Sequence, residues 1–195
     1  MKISVSNIAW YREKNRFEEF LEFLNKNNCD GIEIAPSIIW DEPIKISISE
    51  IQNFNKLIEK YNLDFVGFHS LLFTNPSLEC FKDQDIRIKT INYIKDLIDK
   101  CADLNGKKLV YGSPNSRKIG SKNYSDCVKQ IIEDFNNIAE YAKEKNQIFC
   151  VEPLDKKTTE FITSFEEGGN IVRKVNHNSC KLHLDTKVFL NCLDL

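Results

Sequence analysis

Two carboxylates stand at the ends of short apolar runs in this sequence. Glu152 follows the run 148–151 and precedes Pro153, and Asp185 follows Leu184. A carboxylate in such a setting is costly to bury unless it binds a cation or a hydrogen-bond donor. If the two runs are neighbouring strands, their ends can hold a hard divalent cation such as Mg²⁺ or Mn²⁺ and leave positions open for substrate oxygens. An ion pair or a turn cap at each residue is the structural alternative.

Other polar residues also follow or interrupt apolar runs. Glu33 alternates with two isoleucines, so it is either a functional carboxylate or a hydrogen-bonded residue within the sheet. His69 closes another run and has the same two interpretations. His183 lies two residues before Asp185 and shares its side of the strand, which favours a core or supporting histidine over a metal ligand.

A polar loop at 112–117 follows a fourth apolar run and contains Ser113 and Arg117. The planar guanidinium of Arg117 offers a fork of donors that suits a substrate phosphate. A solvated loop arginine is the alternative.

The elements that must position these residues alternate between short β-rich runs and longer segments of helical period. Strands are predicted at 2–8, 31–36, 64–69, 108–111, 148–151 and 182–184, and helices at 16–27, 49–61, 86–104, 124–146 and from Ser164. Such alternation predicts parallel strands joined by right-handed crossovers, in either a doubly wound sheet or a (β/α)8 barrel. Two features favour the barrel: the first strand is not followed by Gly-x-Gly-x-x-Gly, and ionisable groups collect at the carboxyl ends of the strands.

Composition sets the outer limits on function. A chain of 195 residues that is 42% hydrophobic and 29% charged predicts one domain over 1–195. It has no apolar run near the roughly 20 residues that span a bilayer, and a net charge of −2 gives no electrostatic reason to expect nucleic acid. The seven cysteines are scattered and form no C-x-x-C. We therefore expect a cytoplasmic protein that acts on a small molecule.

Taken in order, the motifs resemble those of the xylose-isomerase-like barrels, which include sugar isomerases, sugar epimerases and endonuclease IV. The matching strands are the second, third, fifth and sixth, in the segments 31–36, 67–70, 151–153 and 183–186. The segment 110–117 is similar to the fourth-strand loop of the sugar-phosphate isomerase/epimerase branch. The resemblance covers the whole chain but only about six of the eight βα units.

The resemblance implies a metal-dependent proton transfer on a keto sugar or sugar phosphate. In the family one divalent ion, here Mn²⁺ or Mg²⁺ with Zn²⁺ or Co²⁺ as the alternatives, is held by residues that match Glu152 and Asp185 and by a histidine and a glutamate from strands seven and eight. Glu152 would also act as one of two acid/base groups, and the second would be a carboxylate from the strands that this sequence does not show. The substrate would lie among five side chains: Glu33, His69, Ser113, Arg117 and His183.

Two departures from the family keep several interpretations open. Val188 stands where sugar epimerases of the family commonly place a substrate-binding histidine, and strands seven and eight have no counterpart before Leu195. The sequence is then a piece of a longer protein, a subunit whose barrel is completed in a homo-oligomer, or an inactive member.

A non-catalytic binding module for small molecules is the alternative from another functional class. An endonuclease IV-like nuclease is disfavoured because the chain has 3 histidines and no basic stripe with aromatic wedges.

Overall fold

A computed structural model describes residues 1–10 and 16–188 of the chain. Within them, one sheet contains β1 (Ser4–Ser6), β2 (Gly31–Ile34), β3 (Asp64–Phe68), β4 (Lys108–Tyr111), β5 (Ile148–Val151) and β6 (Cys180–Leu182). Every strand pairs in parallel with the next one along the chain, in the order β1-β2-β3-β4-β5-β6. A doubly wound sheet would reverse its strand order at a switch point. The in-order pairing therefore confirms the α/β, TIM-barrel type of fold.

Helices connect the strands. They are α1 (Phe17–Lys26), α2 (Pro36–Ile39), α3 (Ile48–Lys60), α4 (Gln84–Asp103), α5 (Tyr124–Glu144) and α6 (Phe165–Val175). Four of them begin at a residue whose side chain accepts a hydrogen bond from the first turn, namely Ser47, Asp83, Asn123 and Ser164. The helix start predicted at Ser164 is confirmed, since Glu167 N–H donates to Ser164 Oγ at 3.1 Å.

The apolar core lies between the helices and one face of the sheet. In α1 the buried face consists of Phe20, Leu21 and Leu24, which follow the predicted helical spacing. Side chains alternate between the two faces of a strand, so Phe149 and Val151 of β5 occupy this core. The same alternation sends Cys150 and Glu152 to the other face, which is the barrel interior.

Several bounds differ from the sequence prediction. β1 is shorter than the predicted 2–8, since residues 7–10 form a 3-10 turn, and β2 ends at Ile34 within the predicted 31–36, since α2 begins at Pro36. β6 is two residues earlier than the predicted 182–184, because its partner β5 ends at Val151 and Leu182 is paired with that residue. A shift of two residues keeps every side chain on its predicted face. The chain is helical again from Thr186, so Asp185 lies beyond the strand.

None of the helices in this described part of the chain has the length and apolar character needed to cross a membrane.

α6 packs closely on the sheet at Gly168. A Cβ atom there would lie 2.7 Å from Pro153 Cγ and 3.0 Å from Leu182 Cδ1, whereas a Cβ at Gly169 would meet the flexible end of Arg173 at 3.3 Å. The two adjacent glycines therefore have different roles. Gly168 brings the helix against the ends of β5 and β6, and Gly169 faces a side chain that can move.

We expect Gly168→Ala to lower the free energy of unfolding by about 1–3 kcal/mol, because the added methyl overpacks the contact between α6 and the sheet. Gly169→Ala is the matched control and should be neutral or stabilising by up to about 1 kcal/mol, since alanine is the better helix former. Urea unfolding followed by circular dichroism measures both. Equal stability of the two variants would contradict this account of the helix contact.

Candidate active site

The polar residues predicted at the strand ends meet at one edge of the sheet. Three of them extend the strand pairing by one backbone hydrogen bond each. His69 N–H donates to Ile34 O at 3.0 Å, Glu152 N–H to Tyr111 O at 3.1 Å, and His183 N–H to Val151 O at 2.8 Å. The backbone of each residue is thus fixed by the neighbouring strand, and their side chains share the barrel mouth.

Glu152 lies at the centre of this group. Its side chain is 19% exposed, and its Oε1 is 3.7 Å from Nε2 of His183. Gly112 leaves the space for this carboxylate, because a Cβ on that glycine would collide with Glu152 Oε2. The fourth strand therefore ends in a residue without a side chain at the point where the fifth strand presents its carboxylate.

The groups around Glu152 have opposing effects on the pKa of its carboxyl group. Burial raises the pKa of the Glu152 carboxyl above its ordinary value, and the carboxylates of Asp185 and Glu33 raise it further. His183 and Arg117 act in the opposite direction and favour the ionised form. A raised carboxyl pKa in a cleft is typical of groups that exchange protons.

Asp185 is half-buried and makes the contact that the turn-cap alternative predicts. Its Oδ1 accepts a hydrogen bond from Lys187 N–H at 2.8 Å, in the first turn of the helical segment that begins at Thr186. A carboxylate can accept several hydrogen bonds or metal contacts through its two oxygens. The cap therefore leaves acceptor capacity on Asp185.

The residues present fit part of a site for a divalent cation. The charge of Asp185 raises the pKa of Glu152, so the two carboxylates repel each other, and a cation between them would relieve that repulsion. Among residues 1–10 and 16–188, however, no group of three or more His, Cys, Asp or Glu side chains is arranged to hold a metal ion. In the described residues, Glu152 and Asp185 would therefore supply two oxygen donors to a cation, which is fewer than a full set.

Glu33 and His69 contact serines of the first strand. Ser4 Oγ donates to Glu33 Oε1 at 3.5 Å. The ring nitrogens of His69 hydrogen-bond with Ser6 Oγ at 2.8 Å and Ser70 Oγ at 3.0 Å. Burial, with a smaller contribution from His183, lowers the pKa of His69 to about 4. His69 is therefore a neutral imidazole that ties the ends of β1 and β3 together.

Ser113 is buried and joins the loops that follow β3 and β4. Its Oγ accepts a hydrogen bond from Leu72 N–H at 3.4 Å. It also lines a cavity of about 190 Å³ together with Ser70, Phe73 and Gly112. Glu152 and His69 do not line this cavity, but two of its lining residues contact them: Gly112 contacts Glu152, and Ser70 contacts His69.

The structure corrects the prediction for Arg117. Its side chain is 0% exposed, and its guanidinium donates from Nη1 to Glu152 O and from Nη2 to Tyr111 O, each at 2.9 Å. A guanidinium enclosed and bonded in this way cannot grip a substrate phosphate, and it is not a solvated loop residue either. The sequence could not show this, because the 112–117 loop is polar and its inward turn depends on tertiary contacts.

Sequence reasoning missed three residues of this region: Ser6, Ser70 and Gly112. Ser6 had a readable signal, since Ser4-Val5-Ser6 alternates polar and apolar residues and places both serines on the face that Glu33 shares. Gly112 directly follows the fourth strand, but its role depends on the neighbouring carboxylate. Ser70 has a left-handed backbone with φ of 51°, which no local sequence pattern predicts.

The fold is shared with solved structures of sugar-converting enzymes. A D-psicose 3-epimerase determined in the presence of D-fructose matches with a TM-score of 0.80 and 18% identity, covering 100% of this chain and 67% of that one. An L-ribulose 3-epimerase matches with a TM-score of 0.75 and 16% identity, over 100% of this chain and 63% of that one. The chain therefore spans about two-thirds of the length of these proteins, and at such identities the similarity shows the fold.

The same fold also carries a different reaction class. The probable 3-DHS dehydratase involved in petrobactin synthesis from Bacillus anthracis matches with a TM-score of 0.71 and 16% identity, covering 95% of this chain and 63% of that one. No curated protein sequence matches the chain.

The family model described as the xylose isomerase-like TIM barrel matches residues 18–188. That match includes all the strands after the first one, together with Glu152 and Asp185. The chain belongs to the xylose isomerase-like TIM barrel family.

Proposed function

We propose that this protein is a sugar isomerase or epimerase that moves a proton at the carbon next to a carbonyl group. The observation that carries the proposal is the carboxylate of Glu152, which lies mostly buried at the barrel mouth beside His183 and has a raised pKa. A raised pKa makes this carboxylate a stronger base than an exposed glutamate and suits it to accept and return a proton. The epimerase neighbours support the choice of reaction class.

The chain's own residues would carry the proton transfer as follows. Glu152 takes the proton from the carbon beside the carbonyl, the C–H electron pair forms the C=C bond of an enediolate, and the carbonyl π pair moves onto its oxygen. Return of the proton to the other carbon isomerises the sugar. Epimerisation requires delivery of a proton to the opposite face of the first carbon, which a second acid/base group would have to supply. His183, at 3.7 Å from Glu152, stabilises the ionised carboxylate when the imidazole is protonated.

A divalent cation, Mn²⁺ or Mg²⁺ in our proposal, would be held by Glu152 and Asp185 and would polarise the adjacent carbonyl and hydroxyl oxygens of the sugar. The remaining donors would be substrate oxygens, water or side chains outside the described residues. The cap at Lys187 N–H fixes the direction of Asp185 for this task.

The substrate class is a small carbohydrate. A cavity of about 190 Å³ between the loops after β3 and β4 has serine hydroxyls and apolar side chains in its wall, and its lining residue Gly112 contacts Glu152, although Glu152 itself does not line it. A sugar phosphate has less support as the substrate, because Arg117, the cation expected to bind its phosphate, is enclosed in the protein. We propose a cytoplasmic protein with no nucleic-acid partner. We also propose a homo-oligomer, in which a second subunit would contribute to the barrel.

A sugar-binding module without turnover is the second candidate. The hydrogen bond from Lys187 N–H to Asp185 favours it, because a carboxylate that caps a helix has a structural reason to be present. Calorimetry separates the two candidates. Ketose binding that is unchanged by EDTA and unaccompanied by proton exchange would favour the binding module.

Proton exchange tests the catalytic proposal directly. We expect the complete gene product with Mn²⁺ to incorporate deuterium from D2O into one or more members of a ketose panel, detected by NMR or mass spectrometry. EDTA should abolish the incorporation. Glu152→Gln should slow it by about 100-fold or more, since the amide cannot accept the proton.

Glu160→Gln is the matched control for that substitution. Glu160 lies on the loop after β5 and accepts hydrogen bonds from Ile119 N–H and Gly120 N–H, away from the carboxylates of the site. It should leave the exchange rate unchanged. Exchange by Glu152→Gln at the wild-type rate, or no exchange by wild type across the panel, would overturn the proposed reaction.

The neutral state of His69 predicts a pH dependence of stability. The pKa of His69 is about 4 in the folded chain, and its ordinary value is 6.5. Between pH 4 and pH 6.5, the unfolded chain therefore binds a proton that the folded chain does not. Stability is therefore fully present above pH 6.5 and is lost as pH falls towards 4. His69→Asn should remove roughly 2 kcal/mol of the loss between pH 7 and pH 4.5.

Urea unfolding of both proteins at the two pH values measures this difference. The other titrating groups are common to both proteins and cancel in the comparison. An equal loss of stability in wild type and His69→Asn would show that His69 is not held neutral by the fold.

A further inference from the structure

Arg117 is an enclosed cation at the junction of two strand ends. It is the last residue of a 3-10 turn, Asn115–Arg117, in the loop after β4. It stands among the largest side chains that the fold buries completely. Burial lowers the pKa of its guanidinium. An arginine in such a place has a specific function in the structure, because an enclosed charge destabilises a fold unless its donors are bonded.

The donors of Arg117 join β4 to β5. Nη1 donates to the carbonyl oxygen of Glu152 and Nη2 to that of Tyr111, the last residue of β4. Tyr111 O also accepts from Glu152 N–H at 3.1 Å. These three hydrogen bonds close a ring around the backbone of Glu152. Both of that residue's main-chain polar groups are therefore tied, directly or through Tyr111, to Arg117.

The guanidinium packs on the ring of Tyr111, and buried hydrogen bonds hold the hydroxyl end of that ring. The Cζ atom of Arg117 lies 4.9 Å from the centroid of the Tyr111 ring. Ser116 Oγ donates to Ser113 O at 2.9 Å, so the hydrogen bond of 2.6 Å between Tyr111 and Ser116 has the tyrosine as donor. The ring is thus anchored at its hydroxyl end, and the guanidinium packs on it.

The charge of Arg117 also reaches the Glu152 carboxylate. The bonds of its Nη atoms go to neutral carbonyls, while Glu152 and Arg117 each stabilise the ionised form of the other through space. Arg117 therefore acts on Glu152 in two ways: it fixes the backbone from which the side chain projects, and it supplies positive charge on the protein side of the carboxylate.

We propose that Arg117 is a positioning residue that sets the direction of the Glu152 carboxylate at the barrel mouth. The proposal rests on the proposed function for its importance, since Glu152 is the group that would move the proton. The geometry it predicts is independent of any reaction.

The test observes Glu152 in the complete protein without substrate or added metal. Glutamate labelled with ¹³C at Cδ is incorporated, and the Glu152 resonance is identified by its loss in Glu152→Gln. Spectra are then compared at one fixed pH for wild type, Arg117→Lys, Arg117→Gln and Arg87→Gln. Arg87 is the matched control: it is a largely buried arginine that bonds Asp134 between α4 and α5, outside the strand ends.

We expect Arg117→Gln to shift or broaden the Glu152 resonance by more than its linewidth. Arg117→Lys keeps the charge but cannot donate to both carbonyls in a fixed fork, so its effect should be intermediate. Arg87→Gln should reduce stability and leave the resonance in place.

A Glu152 resonance unchanged in both Arg117 variants would overturn the proposal, and so would an equal shift in Arg87→Gln. If Arg117→Gln does not fold, the comparison of Arg117→Lys with Arg87→Gln decides. Failure of the proposed reaction would appear separately, as a wild-type protein that exchanges no deuterium.

Discussion

In-order parallel pairing of the six described strands is the constraint on which the rest of the arrangement depends. Because each strand pairs with its successor, the carboxyl ends of all six lie along one edge. Residues far apart in sequence, such as Glu33, His69 and Glu152, therefore come to one barrel mouth without any local signal. The backbone hydrogen bonds of His69 and Glu152 to the preceding strands continue that pairing by one residue. They fix the positions of these two residues at the edge of the sheet.

The charges at this edge are balanced by neighbours on different strands. Burial opposes ionisation of Glu152, and the carboxylates of Asp185 and Glu33 add to that opposition. His183 from the sixth strand and Arg117 from the loop after the fourth offset part of it. A polar cluster of this kind specifies an arrangement more than it stabilises one, since each buried charge is costly without its partners. The cluster therefore fixes an arrangement of charges at a cost in stability.

Sequence patterns predicted strand bounds well where a buried strand is a continuous apolar run with sharp ends. The bounds of β4 and β5 agree with the prediction, because continuous apolar runs with sharp ends define both strands. Local chemistry also identified the helix start at Ser164. The end of β6 was placed two residues too late, since its limit is set by where β5 stops, which is a property of the partner strand.

The site was predicted less completely than the fold. Glu152 could be found because a carboxylate between an apolar run and Pro153 is unusual in any context. Arg117 was misinterpreted because a polar loop normally faces solvent, and only the carbonyls of Tyr111 and Glu152 explain its burial. Gly112 was not singled out, since the need for an absent side chain becomes visible only when the adjacent carboxylate is in place.

The two interpretations of Asp185 are compatible in physical terms. Its hydrogen bond from Lys187 N–H is a helix cap, which was the structural alternative to a metal ligand. A carboxylate has about four lone-pair positions, and this cap uses one of them. Metal-binding carboxylates are themselves commonly held by hydrogen bonds that fix their direction. The cap therefore fixes the direction of Asp185 in a way that is compatible with the proposed ligation, and Arg117 is the group proposed to do the same for Glu152.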